Sequence, residues 1–296
     1  MKRTFLYIAV VAAFTSCSND KKDYDATGTF EATEVTVSAE QTGRLLQFDV
    51  SEGNKIEANQ QVGLIDTVQL YLKARQIGAT KLVYSAQKPE TEKQIASLKQ
   101  QLAKAQQEVA RFDGLVKDGA ANRKLLDDAK SQVAVLQKQI VALQSSLNTS
   151  TNALTAQMNT ADVQKLEIAD QLQKCHIYSP ISGVVLEKYT EPGEFAAIGK
   201  PLFKVADIDN MFIRAYVTSN QLKSIKIGQK VKVFADYGNE ERQEYSGVVS
   251  WISSKSEFTP KTILTDDERA DLVYAIKVAV KNDGNIKIGM YGEIKF

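Results

Sequence analysis

Val37-Ser38-Ala39-Glu40-Gln41-Thr42-Gly43-Arg44-Leu45-Leu46-Gln47-Phe48-Asp49-Val50-Ser51-Glu52-Gly53 and, 140 positions later, Ile177-Tyr178-Ser179-Pro180-Ile181-Ser182-Gly183-Val184-Val185-Leu186-Glu187-Lys188-Tyr189-Thr190-Glu191-Pro192-Gly193 are two copies of one pattern. In each, two glycines ten residues apart (Gly43 and Gly53, Gly183 and Gly193) bracket an apolar strand that ends in an acidic turn. The copies run on without a gap through Val62 and Ile65 in the first and Leu202 and Val205 in the second. Proline sets φ for the second position of such a turn, and glycine supplies the positive φ that follows. Neither copy has enough strands to bury a face alone, so each requires the other to close a core. The chain between them must therefore leave and return to one place.

That intervening chain reads as helix. Apolar residues fall at Ile95, Leu98, Leu102, Ala105, Val109, Phe112 and Val116 in alternating steps of three and four, then resume as Leu126, Ala129, Val133, Leu136, Ile140, Leu143 and Leu147. Both series are coiled-coil seams. Extending the first straight through would put Gly119, Arg123, Lys130, Gln137 and Gln144 in the seam, a polar line that cannot hold two helices together. A reversal over residues 117–121 fits instead, with Gly119 ending one helix and Asn122 capping the next. Pro89 on one side of the tip and Asn148-Thr149-Ser150-Thr151-Asn152 on the other stand about equally far from it, and both are expected to break the arms. Helix is also expected below these breaks, over 68–84 and 154–173. Arms of about 50 residues would reach roughly 75 Å. Seams this narrow leave the hairpin marginal by itself, which favours support from neighbouring copies.

The ends of the chain carry different signals. Met1-Lys2-Arg3, an apolar run from Phe5 to Phe14 and the small residues before Cys17 have the layout of an export signal. The apolar run is too short for a bilayer span, which takes about 20 residues. Phe14-Thr15-Ser16-Cys17 resembles a lipobox, in which the cysteine becomes the lipidated N-terminus of a lipoprotein, followed here by the polar tether Ser18 to Asp23. From Asp207 onward short alternating runs at 211–217, 230–234, 245–252, 273–280 and 291–296 point to a small antiparallel barrel. The charged excursion 253–271 within it is expected to be an interface loop.

The 296 residues carry 37 Lys and Arg against 36 Asp and Glu, a net charge of +1 without a basic stripe, which argues against nucleic-acid binding. No phosphate loop, dinucleotide fingerprint or metal-spaced cluster is present. The sole histidine, His176, adjoins Cys175, but strand neighbours face opposite sides and make a poor nucleophile and base pair. The chain is expected to be no enzyme, with no metal and no cofactor.

Two β half-motifs split by a long hairpin and followed by a small barrel resemble the periplasmic adaptor, or membrane fusion protein, family of the haemolysin-D (HlyD) type. The resemblance implies an α+β fold: a biotinyl-lipoyl-like β-sandwich split by an antiparallel coiled-coil hairpin, then a β-barrel. The expected layout is signal peptide 1–16, tether 17–26, a strand joining the barrel region 27–36, first half-motif 37–66, hairpin 67–174, second half-motif 175–206 and barrel 207–296. It implies a hexameric, lipid-anchored adaptor of the periplasm, favouring the inner membrane, between an inner-membrane transporter and an outer-membrane TolC-like channel. The family docks through an arginine, a leucine four residues on and a serine seven further; Arg111, Leu115 and Asn122 stand at those spacings, with Lys117, Asp118 and Gly119 between them. Asparagine replaces the serine, which keeps the helix cap and drops the hydroxyl. The stretch Ser256-Glu257-Phe258-Thr259-Pro260-Lys261, with Glu268, Arg269 and Leu272-Val273-Tyr274, resembles adaptors that serve ATP-driven exporters, so Glu257, Phe258, Thr259, Pro260 and Arg269 are candidate transporter-facing residues. Two rival readings are a coiled-coil envelope scaffold without transport, and a biotin or lipoyl carrier subunit, whose modified lysine would fall at Asp128-Ala129-Lys130, within the seam.

Overall fold

A computed structural model describes residues 24–238, 242–257 and 272–296. The order is β1 (Ala26–Ser38), β2 (Gly43–Phe48), β3 (Lys55–Ile56), β4 (Gln61–Ile65), helices α1 (Val68–Ala86), α2 (Thr91–Lys117) and α3 (Arg123–Gln173), then β5 (His176–Tyr178), β6 (Gly183–Lys188), β7 (Phe195–Ala196) and β8 (Pro201–Thr218). A single helical turn α4 (Ser219–Leu222) leads to β9 (Lys230–Asp236), β10 (Arg242–Ile252), β11 (Val273–Lys281) and β12 (Tyr291–Lys295).

The two half-motifs form one sandwich, and each supplies the strand the other lacks. β2 pairs with β7 through Gly43↔Ala196 and Arg44↔Phe195, while β3 pairs with β6 through Ile56↔Gly183 and Lys55↔Val184. These are the same pairs with the copies exchanged. The turn bonds obey the same exchange: Gly53 N–H donates to Val185 O at 2.9 Å and Gly193 N–H to Leu45 O at 2.7 Å. Likewise Asn59 N–H donates to Ser179 O at 2.7 Å and Gly199 N–H to Ala39 O at 2.8 Å. Gly199 has φ +84° and its counterpart Asn59 +63°, asparagine being one of the few side chains that tolerate the left-handed region. Burial repeats too, in Leu45 and Val185, Val50 and Thr190, Ile56 and Ala196, Val62 and Leu202, and Ile65 and Val205. The Phe48 and Phe203 rings meet in this core, 5.9 Å apart.

β1 and β8 do double duty. Their inner halves, 33–38 and 201–207, pair within the sandwich, and their outer halves, 27–31 and 212–216, pair again in the barrel. Between Glu31/Thr33 the register jumps from Phe212 to Asp207, so residues 208–211 of β8 leave β1 where the strand passes from one module to the other, Asn210 and Met211 pairing instead with Lys281 and Val280 of β11. The outer halves close a ring β1-β12-β9-β10-β11-β8, a six-stranded antiparallel barrel around Phe30, Met211, Ile213, Val233, Val249, Ile276, Val278 and Ile294. The passage from second half-motif to barrel at 206/207 thus lies inside one continuous strand.

The hairpin reverses at the expected place. All fourteen seam residues are buried or half-buried, and Gly119, Arg123, Lys130, Gln137 and Gln144 are all exposed. One expectation is overturned: α3 runs unbroken through Asn148–Asn152 to Gln173, so only the first arm is interrupted, at residues 87–90 around Pro89. The polar run stays helical although its residues are weak helix formers: Thr149 Oγ1 turns back to donate to Ser145 O at 2.9 Å and, just beyond the run, Thr155 Oγ1 donates to Thr151 O at 2.8 Å, while the buried Thr151 Oγ1 makes no hydrogen bond among the described residues. α3 is therefore a continuous rail against which α1 and α2 lie in succession. Lys81 Nζ on α1 reaches both carboxylate oxygens of Asp162 on α3 at 2.7 Å.

Candidate functional site

The tip is built by local sequence alone. Gly119 has φ +71°, its N–H donates to Val116 O at 3.1 Å and the Ala120 N–H donates to Leu115 O at 2.8 Å, the paired bonds of a Schellman cap after Asp118. Two residues later Asn122 is extended, and its Oδ1 accepts the Lys124 N–H at 3.0 Å, capping α3. The asparagine thus does the capping work expected of it, with its side chain committed to its own helix.

Arg111 and Leu115 stand on one face of α2, one helical turn apart and off the seam. Leu115 is 38 % exposed. Arg111 is exposed, held by Glu108 at 3.0 Å with its guanidinium 5.1 Å from the Phe112 ring centre. Lys117 pairs with Asp113 at 2.7 Å, and this hydrogen bond raises the lysine's pKa and lowers that of the carboxyl. Lys117, Asp118, Gly119 and Asn122 are all exposed. Sequence reasoning missed Leu125, which is 46 % exposed on the other arm; the signal was a leucine beside, rather than on, the seam position Leu126. The tip therefore offers apolar side chains on both arms, charges already held in place, and a rigid turn.

At the other end of the chain, Glu257 is fixed by the barrel. Its N–H donates to Val273 O at 2.8 Å, and its carboxylate accepts from Arg214 Nη2 at 3.1 and 3.2 Å. Arg214 was not anticipated; it projects from β8 5.9 Å from the Tyr216 ring centre. Phe258, Thr259, Pro260 and Arg269 lie outside the described residues, as does Cys17. Gly43, Gly53, Gly183 and Gly193 sit at the sandwich turns and crossings given above. Cys175 is buried where α3 meets the sandwich, its thiol pushed up by burial and its Sγ donating to Gln171 O at 3.4 Å. His176 lies beside Tyr178, the rings stacked at 6.4 Å. Among the described residues no group of His, Cys, Asp and Glu could hold a metal, and no helix is long and apolar enough to cross a membrane.

Comparison with known proteins places this geometry. A family model described as "RND MFP, barrel-sandwich hybrid domain" matches residues 33–208. Those limits coincide with the register shift between Glu31 and Thr33 on β1 and with residue 208 on β8, where that strand leaves its pairing with β1. A UPF0194 membrane protein of Yersinia pseudotuberculosis serotype O:3 is 29% identical over 282 residues, covering 86% of this chain and 83% of its own. A UPF0194 membrane protein of Acidithiobacillus ferridurans is 24% identical over 284 residues, covering 89% and 83%. Among solved structures, MacA from Actinobacillus actinomycetemcomitans superposes with a TM-score of 0.55 at 20% identity, over 91% of this chain and 76% of that one. A MacA-MexA chimera carrying the Pseudomonas aeruginosa MexA α-hairpin domain gives 0.51 at 19% identity, with the same coverage. These likenesses extend the shared fold beyond the sandwich to hairpin and barrel.

Proposed function

Because the chain belongs to the membrane fusion proteins, a family of periplasmic adaptors in efflux systems, we propose that it is the adaptor of a tripartite system, joining an inner-membrane transporter to an outer-membrane TolC-like channel. The observation that carries the reading is a rigid hairpin returning to its own origin, with an exposed tip of Arg111, Leu115 and Leu125 and no catalytic group beside it. In this reading Cys17 is lipidated, the barrel sits at the inner membrane, six copies form a ring, and the hairpins carry the contact across the periplasm. Coupling is then an interface event: the one-sided interruption at Pro89 lets α1 and α2 shift against the continuous α3 while the tip engages the channel. A photo-crosslinker at Leu115 should capture the outer-membrane channel protein. Capture of no envelope protein by a correctly exported chain would leave the scaffold reading instead.

For the transporter we favour an ABC-type partner of the kind served by haemolysin-D-type adaptors, on the stretch from Ser256 to Tyr274, with Glu257 held by Arg214 at the edge of that contact. A second reading, a proton-driven pump of the RND type, is favoured by the description of the matching family. Export that fails when cellular ATP is depleted with the proton gradient intact supports the first; export abolished by a protonophore at full ATP supports the second.

A further inference from the structure

The barrel end at which β1, β9 and β11 begin and β8, β10 and β12 finish is where the tether enters the structure. Gln221 Nε2 of α4 donates to Asp25 O at 2.6 Å, and the Phe296 N–H donates to Asp25 Oδ2 at 2.9 Å, fixing the point of entry. Just after α4 the chain makes a turn over Lys226-Ile227-Gly228-Gln229, with Gln229 N–H donating to Lys226 O at 3.1 Å and Gly228 at φ +87°. Ile227 sits at its apex, 67 % exposed. The turn is held firmly: Ile225 is buried in the barrel core, Gly228 N–H donates to Val249 O at 2.8 Å, and Val249 N–H donates to Gln229 O at 2.9 Å.

Nothing in the backbone of such a turn calls for isoleucine at its second position, where proline is the favoured choice. One exposed apolar residue is ordinary; an apolar residue with unpaired cations on both sides of it in the chain is informative. Lys230 lies opposite Val248 in the β9–β10 ladder, and Val248 and Trp251 are 39 % and 42 % exposed. Lys223, Lys226 and Lys230 are exposed, and none makes an ion pair with a carboxylate among the described residues. The turn Ala197-Ile198-Gly199-Lys200 has the same shape and an exposed isoleucine, but there Lys200 is taken by Glu194 at 3.0 Å. Unpaired lysines beside an isoleucine, a valine and a tryptophan are the chemistry of an interface with anionic lipid, where the indole sits at the headgroup level and cations meet phosphate.

We propose that this end of the barrel rests on the bilayer, with Ile227 and Trp251 entering the headgroup layer and Lys223, Lys226 and Lys230 meeting anionic phosphates. The inference rests on the reading of Cys17 as the lipidated residue, since seven residues from Cys17 to Tyr24 span at most about 25 Å and keep this end, rather than the hairpin tip, beside the membrane. The contact makes the adaptor's tilt depend on lipid charge as well as on its anchor.

Trp251 is the chain's one tryptophan, so its emission reports the contact directly. The lipidated mature chain, beginning at Cys17, is reconstituted alone in vesicles of phosphatidylglycerol or phosphatidylcholine bearing brominated acyl chains, and flotation is scored beside fluorescence. The expected result is quenching and a blue shift in phosphatidylglycerol, weak in phosphatidylcholine and reduced by high salt. Ile227→Asp should abolish the quenching, and each of Lys226→Gln and Lys230→Gln should lower the docked-to-undocked ratio by about fivefold. Unchanged quenching in Ile227→Asp overturns the proposal, as does floating protein whose tryptophan never senses bromine, which leaves the anchor intact. A response that appears only when a transporter is co-reconstituted makes the patch a protein-docking surface and overturns it too. A chain that fails to float in either lipid removes the anchor and the proposal with it.

Discussion

Gly43 and Gly183 occupy equivalent places in the two half-motifs, yet their surroundings differ. A Cβ at Gly183 would come within 2.2 Å of the Ala206 carbonyl oxygen, whereas at Gly43 the equivalent carbonyl, of Asp66, is 3.6 Å away and the nearest atom is the Ile65 Cγ2 side chain at 2.7 Å. A side chain can turn aside; a backbone carbonyl inside a paired strand cannot. Gly183→Ala should therefore destabilise by about 2 kcal/mol or more, and clearly more than Gly43→Ala, with urea midpoints as the measurement; equal costs would refute the distinction. The repeated glycines were visible as letters, but the asymmetry was not, because it depends on how closely one carbonyl, of Ala206 or of Asp66, approaches each glycine. The tip residues behave in the opposite way. Arg111 and Leu115 are exposed and off the seam, so Leu115→Asp should leave the stability within about 0.5 kcal/mol of wild type while abolishing export in cells. Loss of folding together with export would mean that Leu115 packs rather than docks.

Helices show where sequence reading succeeds and where it stops. The seam was legible because a two-helix interface imposes its period on every turn, and an error of one position would have exposed half of it. The expected break at Asn148–Asn152 was not real, since helix propensity is a weak prior that packing overrides: the buried Leu147 just before the run and the buried Ala161 and Ile168 beyond it hold the same helix on both sides. Pro89 has no such remedy: it lacks the N–H and restricts the residue before it, so only the first arm divides. The seam makes a quantitative prediction. Leu136 is buried between α2 and α3, and Leu136→Ala should cost about 2 kcal/mol, whereas Val141→Ala, on the outer face of the same helix, should change stability by less than about 0.5 kcal/mol. Far-UV circular dichroism during thermal melting separates the two, and equal effects would mean that α3 packs on a different face.

Taken whole, the molecule is a β body from which a rod can in principle be removed. The two ends of the hairpin meet there, since Ile65 N–H donates to Cys175 O at 2.9 Å and Asp66 N–H to Arg44 O at 2.8 Å. The sandwich core draws on α1 only for the half-buried Leu70, and its buried members otherwise come from residues 39–65 and 175–205. That closure followed from the split repeat. The sharing of β1 and β8 between sandwich and barrel did not, because a continuous strand carries no mark of where it changes partners. Replacing residues 68–173 by a short Asn-Gly turn, the kind that joins adjacent antiparallel strands, should leave a soluble, cooperatively folding β protein that no longer crosslinks to the outer-membrane channel. Deleting residues 24–66 should do the reverse and unfold the remainder, since β1 seals the barrel between β12 and β8 and, through residues 33–38, one edge of the sandwich. Dispersed amide spectra for the hairpin-less chain and collapsed ones for the truncated chain are the expected pair. If the hairpin-less chain collapses as well, the helices hold the β body together and the rod is no mere excursion from it.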